Sequence, residues 1–412
     1  MFKFFKKSST QGSTLSAGKK RIYLDYAAAA PVRAEAKRVM LEAMDLFANP
    51  GTIHADGVLA KKALEEAREK VADATFSRAK EIVFTSGATE SNNIAVFGSI
   101  FAWRAKNEGK TPHVITTRIE HPSVLEVCKH LENKKLAEVT YLDVSSEGII
   151  DVKKLREALR PETVLVSIIY ASNEIGVIQP VHEISKEIRH FKKHTLGNHE
   201  STYPLFHTDA SQAPLYESVN LQTLHADLMT LSSEKIYGPH GVGMLFVRSG
   251  TKLEKIIMGG SQEFDLRPGT ENVPGIAGFA KALELAVAER ETESARLREI
   301  QNYCFAELEK NFSGKFIVNG SRENRLPNNI NITWIGFDSE LLVIELDAKG
   351  IAVSEKSACN TEDSESYVIE SLRSSDTGSI RISFGHASRK SDIDHLIKSL
   401  QEIFNKYKNI HN

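Results

Sequence analysis

The stretch "ADLMTLSSEKIYGPHGVGMLFVR" occupies residues 226–248. Two short apolar runs rich in β-formers flank a polar segment closed by a Gly-Pro pair, so it reads as strand, loop, strand. The first run releases Lys235 into the loop, directly after Glu234. A lone lysine in a turn is usually a solvated surface group, so its meaning depends on what the neighbouring strand ends hold. Just upstream, "LFHTDASQA" brings Asp209 to the end of another apolar run, with Gln212 one turn further on.

Working outward, the same texture repeats. "EIVFTSG", "HVITT", "AEVTYLDV", "TVLVSIIYASNE", "LFHTDAS", "ADLMTLSS" and "GVGMLFVR" alternate with amphipathic stretches such as "VHEISKEIRHFKK". Alternating strand and helix patterns predict an α/β fold: a seven-stranded, mainly parallel sheet with helices on both faces. In such sheets ligands sit beyond the carboxyl ends of the strands. After about Ile276 the pattern changes to a long charged helix, then the runs "KFIVNG", "NNINITW", "IAVSEKSAC" and "SIRISFG", then an amphipathic closing helix. These predict a smaller α+β domain. The expected organisation is a flexible basic tail (1–21), an N-terminal segment packing with the small domain (22–35), a large domain (36–280) and a small C-terminal domain (281–412). A mobile cysteine loop is expected at about 355–366.

Composition narrows the function classes. The 412 residues carry 52 Lys and Arg against 54 Asp and Glu, a net charge of -2, which gives no global basic field for nucleic acid. No run of 18 or more apolar residues is present to span a bilayer. Cys128, Cys304 and Cys359 are too few and scattered for a disulfide framework or a zinc site, which fits a reducing, cytoplasmic setting. The first 21 residues hold six basic side chains but no apolar segment of the signal-peptide kind.

The polar oddities recur at strand ends, where a parallel sheet would gather them along one edge. "VFTSGATESNN" runs from a strand through Gly87 to Thr89 and a helix start, an arrangement that favours anions. It lacks GxxxxGK[ST], which argues against a nucleoside-triphosphate loop. A strand-end lysine beside a strand-end aspartate suggests pyridoxal phosphate (PLP), the amine joining the aldehyde and the carboxylate facing the pyridine nitrogen.

Ten blocks then carry a resemblance: "YLDYAAAAPV", "NPGTIH", "FTSGATESNN", "EHPSVLEVC", "SNEIGVIQP", "HTDASQA", "SSEKIYGPHGVG", "RPGTENVPG", "VSEKSACNT" and "SIRISFG". In that order they resemble the signature blocks of the cysteine desulfurases, fold-type I, class V PLP enzymes, over about Ile22 to Leu400. The resemblance implies that Lys235 holds PLP, His121 stacks on its ring, and Asp209 pairs with its nitrogen. Asn173 and Gln212 would position the ring, with Asn173 also near the substrate. Ala88, Thr89 and Ser232 would bind the phosphate, and Thr270 would reach it from the other protomer of a homodimer. Arg381 would hold the carboxylate of L-cysteine, and Cys359, in a loop of the "SSGSAC" type, would take the sulfur. The products would be L-alanine and a persulfide, destined for an iron–sulfur scaffold or a tRNA-thiolation enzyme. Cys128 and Cys304, on helical patterns, are expected to be buried.

This chain departs from the pattern at several positions. The family usually has histidine before the lysine, where it donates to the phosphate. Ionised Glu234 cannot donate, and at about 4 Å and an effective dielectric of about 20 its repulsion would be on the order of 4 kcal/mol per charge pair. It is therefore expected to turn away, toward a basic neighbour such as His240, or to take up a proton, with weaker PLP retention. His240 and His386 stand where lysine and arginine are common and dilute local positive charge. Glu362, Asp363 and Glu365 make the cysteine loop acidic and should raise its thiol pKa. Two alternatives stay open: another class V enzyme, such as a selenocysteine lyase or an aminotransferase, or a non-catalytic member acting as a sulfur-transfer scaffold.

Overall fold

The computed structural model describes residues 21–194, 202–355, 366–373 and 378–408. The first half contains β1 (Ile22–Tyr23), α1 (Ala34–Met44), α2 (Ala55–Thr75), β2 (Ile82–Thr85), α3 (Ala88–Arg104), β3 (His113–Thr117), α4 (Pro122–Asn133) and β4 (Glu138–Leu142). Next come α5 (Val152–Ala158), β5 (Thr163–Ser167), α6 (Val181–His194), β6 (Leu205–Asp209), α7 (Leu221–Leu224), β7 (Leu228–Ser232) and β8 (Gly243–Val247). The remainder is α8 (Val273–Phe312), β9 (Phe316–Val318), β10 (Asn329–Trp334), α9 (Ser339–Ala348), β11 (Ile351–Ala352), α10 (Tyr367–Leu372), β12 (Ser379–Ser383) and α11 (Lys390–Lys408).

The seven runs picked out in the sequence form one sheet, in the order β2-β8-β7-β6-β5-β3-β4. From β7 to β4 every pairing is parallel, whereas β8 is antiparallel to both β2 and β7. The cause is connection length, since the 233–242 loop between β7 and β8 is shorter than the crossover of about a dozen or more residues that parallel neighbours need. Period-two alternation splits the apolar side chains between two cores. Phe84, Ile115, Val166, Phe206 and Met229 face one, while Val83, Val114, Val164 and Leu228 face the other.

"TVLVSIIYASNE" is a strand only through Ser167. Its backbone continues to bond β6 from Ile168 and Tyr170, then turns back on itself as Ser172 N–H donates to Val177 O. Gly176 makes that turn at φ 73°, and a Cβ there would meet Asn329 at 2.7 Å. The turn leaves Asn173 at the sheet mouth. The polar run 192–204 begins as the end of α6, and residues 195–201 lie outside the described residues.

Beyond the large sheet, β12-β10-β9 form an antiparallel sheet of three strands. "IAVSEKSAC" adds no strand to it. Its first residues form β11, which pairs in parallel with β1, while Asp25 and Ser354 bridge to Ser383 and Arg381 of β12. The helix α8 links the two regions, capped by Asn272, whose side chain accepts from Gly275 N–H. It runs through residues 280 and 281 without a break. Its Arg296 pairs with Glu293 at 2.6 Å and donates to Gly385 O and Ser388 O, fixing the turn after β12. No helix among the described residues is long and apolar enough to cross a membrane.

The edge strand β2 is secured by a buried ion pair. Arg68 meets Glu263 through two bonds of 2.8 and 2.7 Å, donates to Ile82 O, and lies 4.8 Å from the centre of the Phe84 ring. Glu263 also accepts from Phe84 N–H at 2.7 Å. Glu263, Phe264 and Asp265 are all left-handed, at φ 46°, 59° and 65°, a local strain that this pairing offsets. Glu263→Gln should lower the unfolding free energy by about 3 kcal/mol, because it removes the buried counter-charge of the Arg68 guanidinium and leaves it only the half-exposed Glu65 carboxylate at 3.3 Å. Urea denaturation of the full chain would check this through a reduced midpoint at unchanged slope.

Candidate active site

The carboxyl ends of the parallel strands open onto a cavity of about 380 Å³. Lys235, Asp209, His121, Asn173, Gln212 and Arg381 line it, as do Ala88 and Thr89 at the start of α3. Ser232 lies just behind, its hydroxyl accepting from Ala88 N–H at 3.4 Å. Thr270 is exposed and is no part of this lining; Asn49 donates to its hydroxyl at 3.4 Å. Cys359 and the acidic residues that follow it lie outside the described residues.

Lys235 ends a short 3-10 turn, Ser233–Lys235, that follows β7. Its Nζ donates to Ala28 O at 2.5 Å and Ala27 O at 3.4 Å. Gln212 donates to the same Ala27 O at 3.0 Å. The small-residue turn after β1 thus forms one wall of the cavity, and side chains from β6 and β7 meet on it.

Asp209 is 5% exposed. Its Oδ1 accepts from the N–H and hydroxyl of Ser211 at 3.0 and 2.6 Å, and its Oδ2 from Asn92 at 2.8 Å. Asn92 uses its second amide proton on Ser123 Oγ, also at 2.8 Å. Ser123 in turn contacts His121 Nδ1 at 2.8 Å, and its N–H donates to the same nitrogen. With the Nδ1 lone pair so used, the neutral ring carries its proton on Nε2. Under Asp209, His207 bridges Ser167 and Thr230, and burial lowers its pKa to about 4 despite the nearby aspartate.

Arg381 is 1% exposed and donates to Asn173 O at 2.9 Å and Asp25 Oδ1 at 2.8 Å. Among the described residues its buried Nε has no acceptor, while the residue itself lines the cavity. Ser366 and Tyr367, at the start of α10, also reach the two flanks of the site. Tyr367 donates its hydroxyl to Glu120 O at 2.6 Å, and Ser366 donates to the Glu174 carboxylate. Glu120 and Glu174 directly neighbour His121 and Asn173 in the chain.

One expectation for the departing residues is corrected. Glu234 does not turn to His240; it accepts from the Ser232 hydroxyl, which lies 2.7 Å from each carboxylate oxygen. Proximity decides this, since Ser232 is two residues away on the same turn. His386 does not line the cavity and pairs instead with Glu293 at 3.4 Å, a contact that raises its pKa. Cys128 and Cys304 are buried, with burial driving the first thiol far up and the second to about 12. Sequence reasoning missed Asp25, the Ala27–Ala28 carbonyls and Asn92. Asp25 and the alanines lie in a quoted block, but no local pattern indicates partners more than 200 residues away.

The residues present fit PLP. An amine and a buried, oriented carboxylate face one cavity, and a Cβ built on Gly87 (φ 151°) would project into open space beside the start of α3. A mainly parallel sheet that gathers these groups at its strand ends is the fold-type I architecture. The aminotransferase class-V family model matches residues 22–396. The cysteine desulfurase IscS of Dictyoglomus turgidum is 42% identical over 397 residues, 95% of this chain and 96% of its own length. That of Methanosarcina thermophila is 39% identical over 405 residues, covering 97% and 96%. A solved NifS-like protein superposes with a TM-score of 0.84 at 31% identity, covering 93% of this chain and 99% of its own. SspA, solved in complex with cysteine, gives 0.74 at 33%, covering 88% and 98%. The chain belongs to the class-V aminotransferase family, on its cysteine desulfurase branch, a PLP-dependent group.

Glu120 supplies a pH test. Its Oε1 accepts from the Thr117 hydroxyl and Ile169 N–H, but Oε2 has no partner among the described residues, and burial, reinforced by Asp209, raises its pKa to about 8. An unfolded glutamate ionises near about 4.3. Between those values the unfolded state releases a proton that the folded state keeps, so this group's contribution falls as pH rises. Glu120→Gln removes that loss. Its melting temperature relative to the parent should increase from pH 5 to pH 8, as calorimetry across that range would show.

Proposed function

We propose that the protein is a homodimeric cysteine desulfurase that binds PLP, converts L-cysteine to L-alanine and retains the sulfur as a persulfide on Cys359. The observation that carries this reading is the convergence of Lys235, Asp209 and Arg381 on one cavity in a chain of this family. When bound, PLP would supply an electron sink for cleavage next to the amino acid's α-carbon.

The chain's own residues supply the rest. Lys235 would hold the cofactor and, once released, move the substrate's α-proton. Asp209, oriented by Ser211 and Asn92, would face the pyridine nitrogen, with His121 against the ring. Ala88, Thr89 and Ser232 would receive the phosphate, and Gln212 and Asn173 would fix the ring's tilt. Arg381, which lines the cavity, would offer its guanidinium to the substrate carboxylate. The Cys359 thiolate would attack the substrate sulfur. The sulfur–sulfur bond forms as the carbon–sulfur bond breaks, and its electron pair and a proton stay with the carbon skeleton that leaves as alanine.

An exposed apolar face supports the second protomer. Leu41 and Met44 are 66% and 60% exposed, while Phe47 and Ile53 reach 85% and 97%. Such a cluster on α1 and the segment after it calls for a partner surface. A second copy there would let Thr270 complete the partner's phosphate site. We assign the enzyme to the cytoplasm, with a protein acceptor for the sulfur, an iron–sulfur scaffold or a tRNA-thiolation enzyme.

The purified chain should show PLP absorbance that survives dialysis. Lys235→Ala should lose that band and cut alanine formation by at least about 10²-fold. Cys359→Ala should keep the band but form no protein persulfide; unchanged turnover to alanine and free sulfide would instead indicate a lyase. Phe47→Asp with Ile53→Asp should shift the mass measured by light scattering from dimer to monomer.

A further inference from the structure

The phosphate end of the cavity contains an acid that the proposed chemistry does not use. Ser232 ends β7, receives the Ala88 N–H, and turns its single hydroxyl proton onto Glu234. The donor that a phosphate would need from this serine is therefore already committed to a carboxylate. Among the described residues no basic side chain forms an ion pair with Glu234. The other acid at this helix start, Glu90, differs. It is held by Ser86 N–H at 2.6 Å and by Arg267 at 3.0 Å. The remaining charged or titratable groups lining the cavity are Lys235, His240, His121, Asp209 and Arg381.

We propose that Glu234 is a built-in competitor for the phosphate seat, and that it sets how strongly the site prefers a phosphorylated pyridoxal to the unphosphorylated aldehyde. This deepens the PLP reading and rests on it. A phosphate dianion can take the Ser232 proton only after the carboxylate swings off, and it then remains beside a second negative charge. That cost falls on the phosphate alone. Lys235, held on the Ala27 and Ala28 carbonyls, would grip the aldehyde end and Asp209, held by Asn92 and Ser211, the pyridine end, whereas Glu234 is bonded to the serine at the phosphate end. The predicted signature is a compressed ratio between the affinities for the two forms.

The full chain, stripped of cofactor, would be titrated separately with PLP and with pyridoxal, following absorbance, as parent, Glu234→Gln and Glu234→His. Glutamine keeps the size and an acceptor oxygen for Ser232 but removes the charge, and the melting temperature of each variant verifies folding. Both variants should bind PLP about tenfold or more tightly than the parent, with pyridoxal affinity within about twofold of it. The proposal is overturned if Glu234→Gln binds PLP no more tightly, or if both affinities rise together, which would move the effect to the aldehyde end. Borohydride reduction followed by peptide mapping separates the two levels: no label on Lys235 in any variant removes the cofactor reading itself, and this inference with it.

Discussion

Arg381 carries a full charge at 1% exposure, in the outer strand of the small sheet, and everything at the cavity mouth is arranged around keeping it there. Moving an ion of this kind out of water costs several kcal/mol unless partners replace the lost solvent. Two replacements come from places with no local relation to β12. Asp25 follows β1, and the Asn173 carbonyl belongs to the turn that ends the β5 run. Satisfying one guanidinium therefore ties the N-terminal segment, the large sheet and the small sheet to a single point. The substrate end of the cavity inherits its geometry from that requirement.

The opposite wall follows a second constraint, a chain of buried polar side chains that orient one another. Asp209, Asn92, Ser123 and His121 bond in sequence, and each uses groups that the others need. A carboxylate oriented by three donors and a ring fixed in one tautomer are what a planar heterocycle would find preformed. The parallel strands explain how this arises without long loops. Each delivers its polar residue at the same edge, so β6 and β7 place Asp209 and Lys235 along one rim.

The large sheet was legible because its seven apolar runs alternate with helical patterns and because buried parallel strands tolerate few polar residues except at their ends. The same logic exposed Asp209 and Lys235. It failed where geometry depends on distant backbone. The carbonyls that hold Lys235 lie in the turn after β1, and Asn92 looked like one more polar residue at a helix start. "IAVSEKSAC" read as a strand of the small sheet because its first residues are β-formers, whereas its described residues form a two-residue ladder with β1 and a single bridge, Ser354 to Arg381, with β12. The destination of Glu234 was set by a serine two residues away, a contact that neither charge counting nor family pattern reveals.

The bond between Asp25 and Arg381 spans 356 positions of the chain. A ribosome must therefore release almost the entire polypeptide before the pocket can close, however early the large sheet condenses. Until then the nascent molecule displays an open rim with an unsatisfied carboxylate at one end of its history and no guanidinium at the other. A half-made chain already carries the residues assigned to the cofactor, all of them at or before Thr270, but not the guanidinium assigned to the substrate carboxylate.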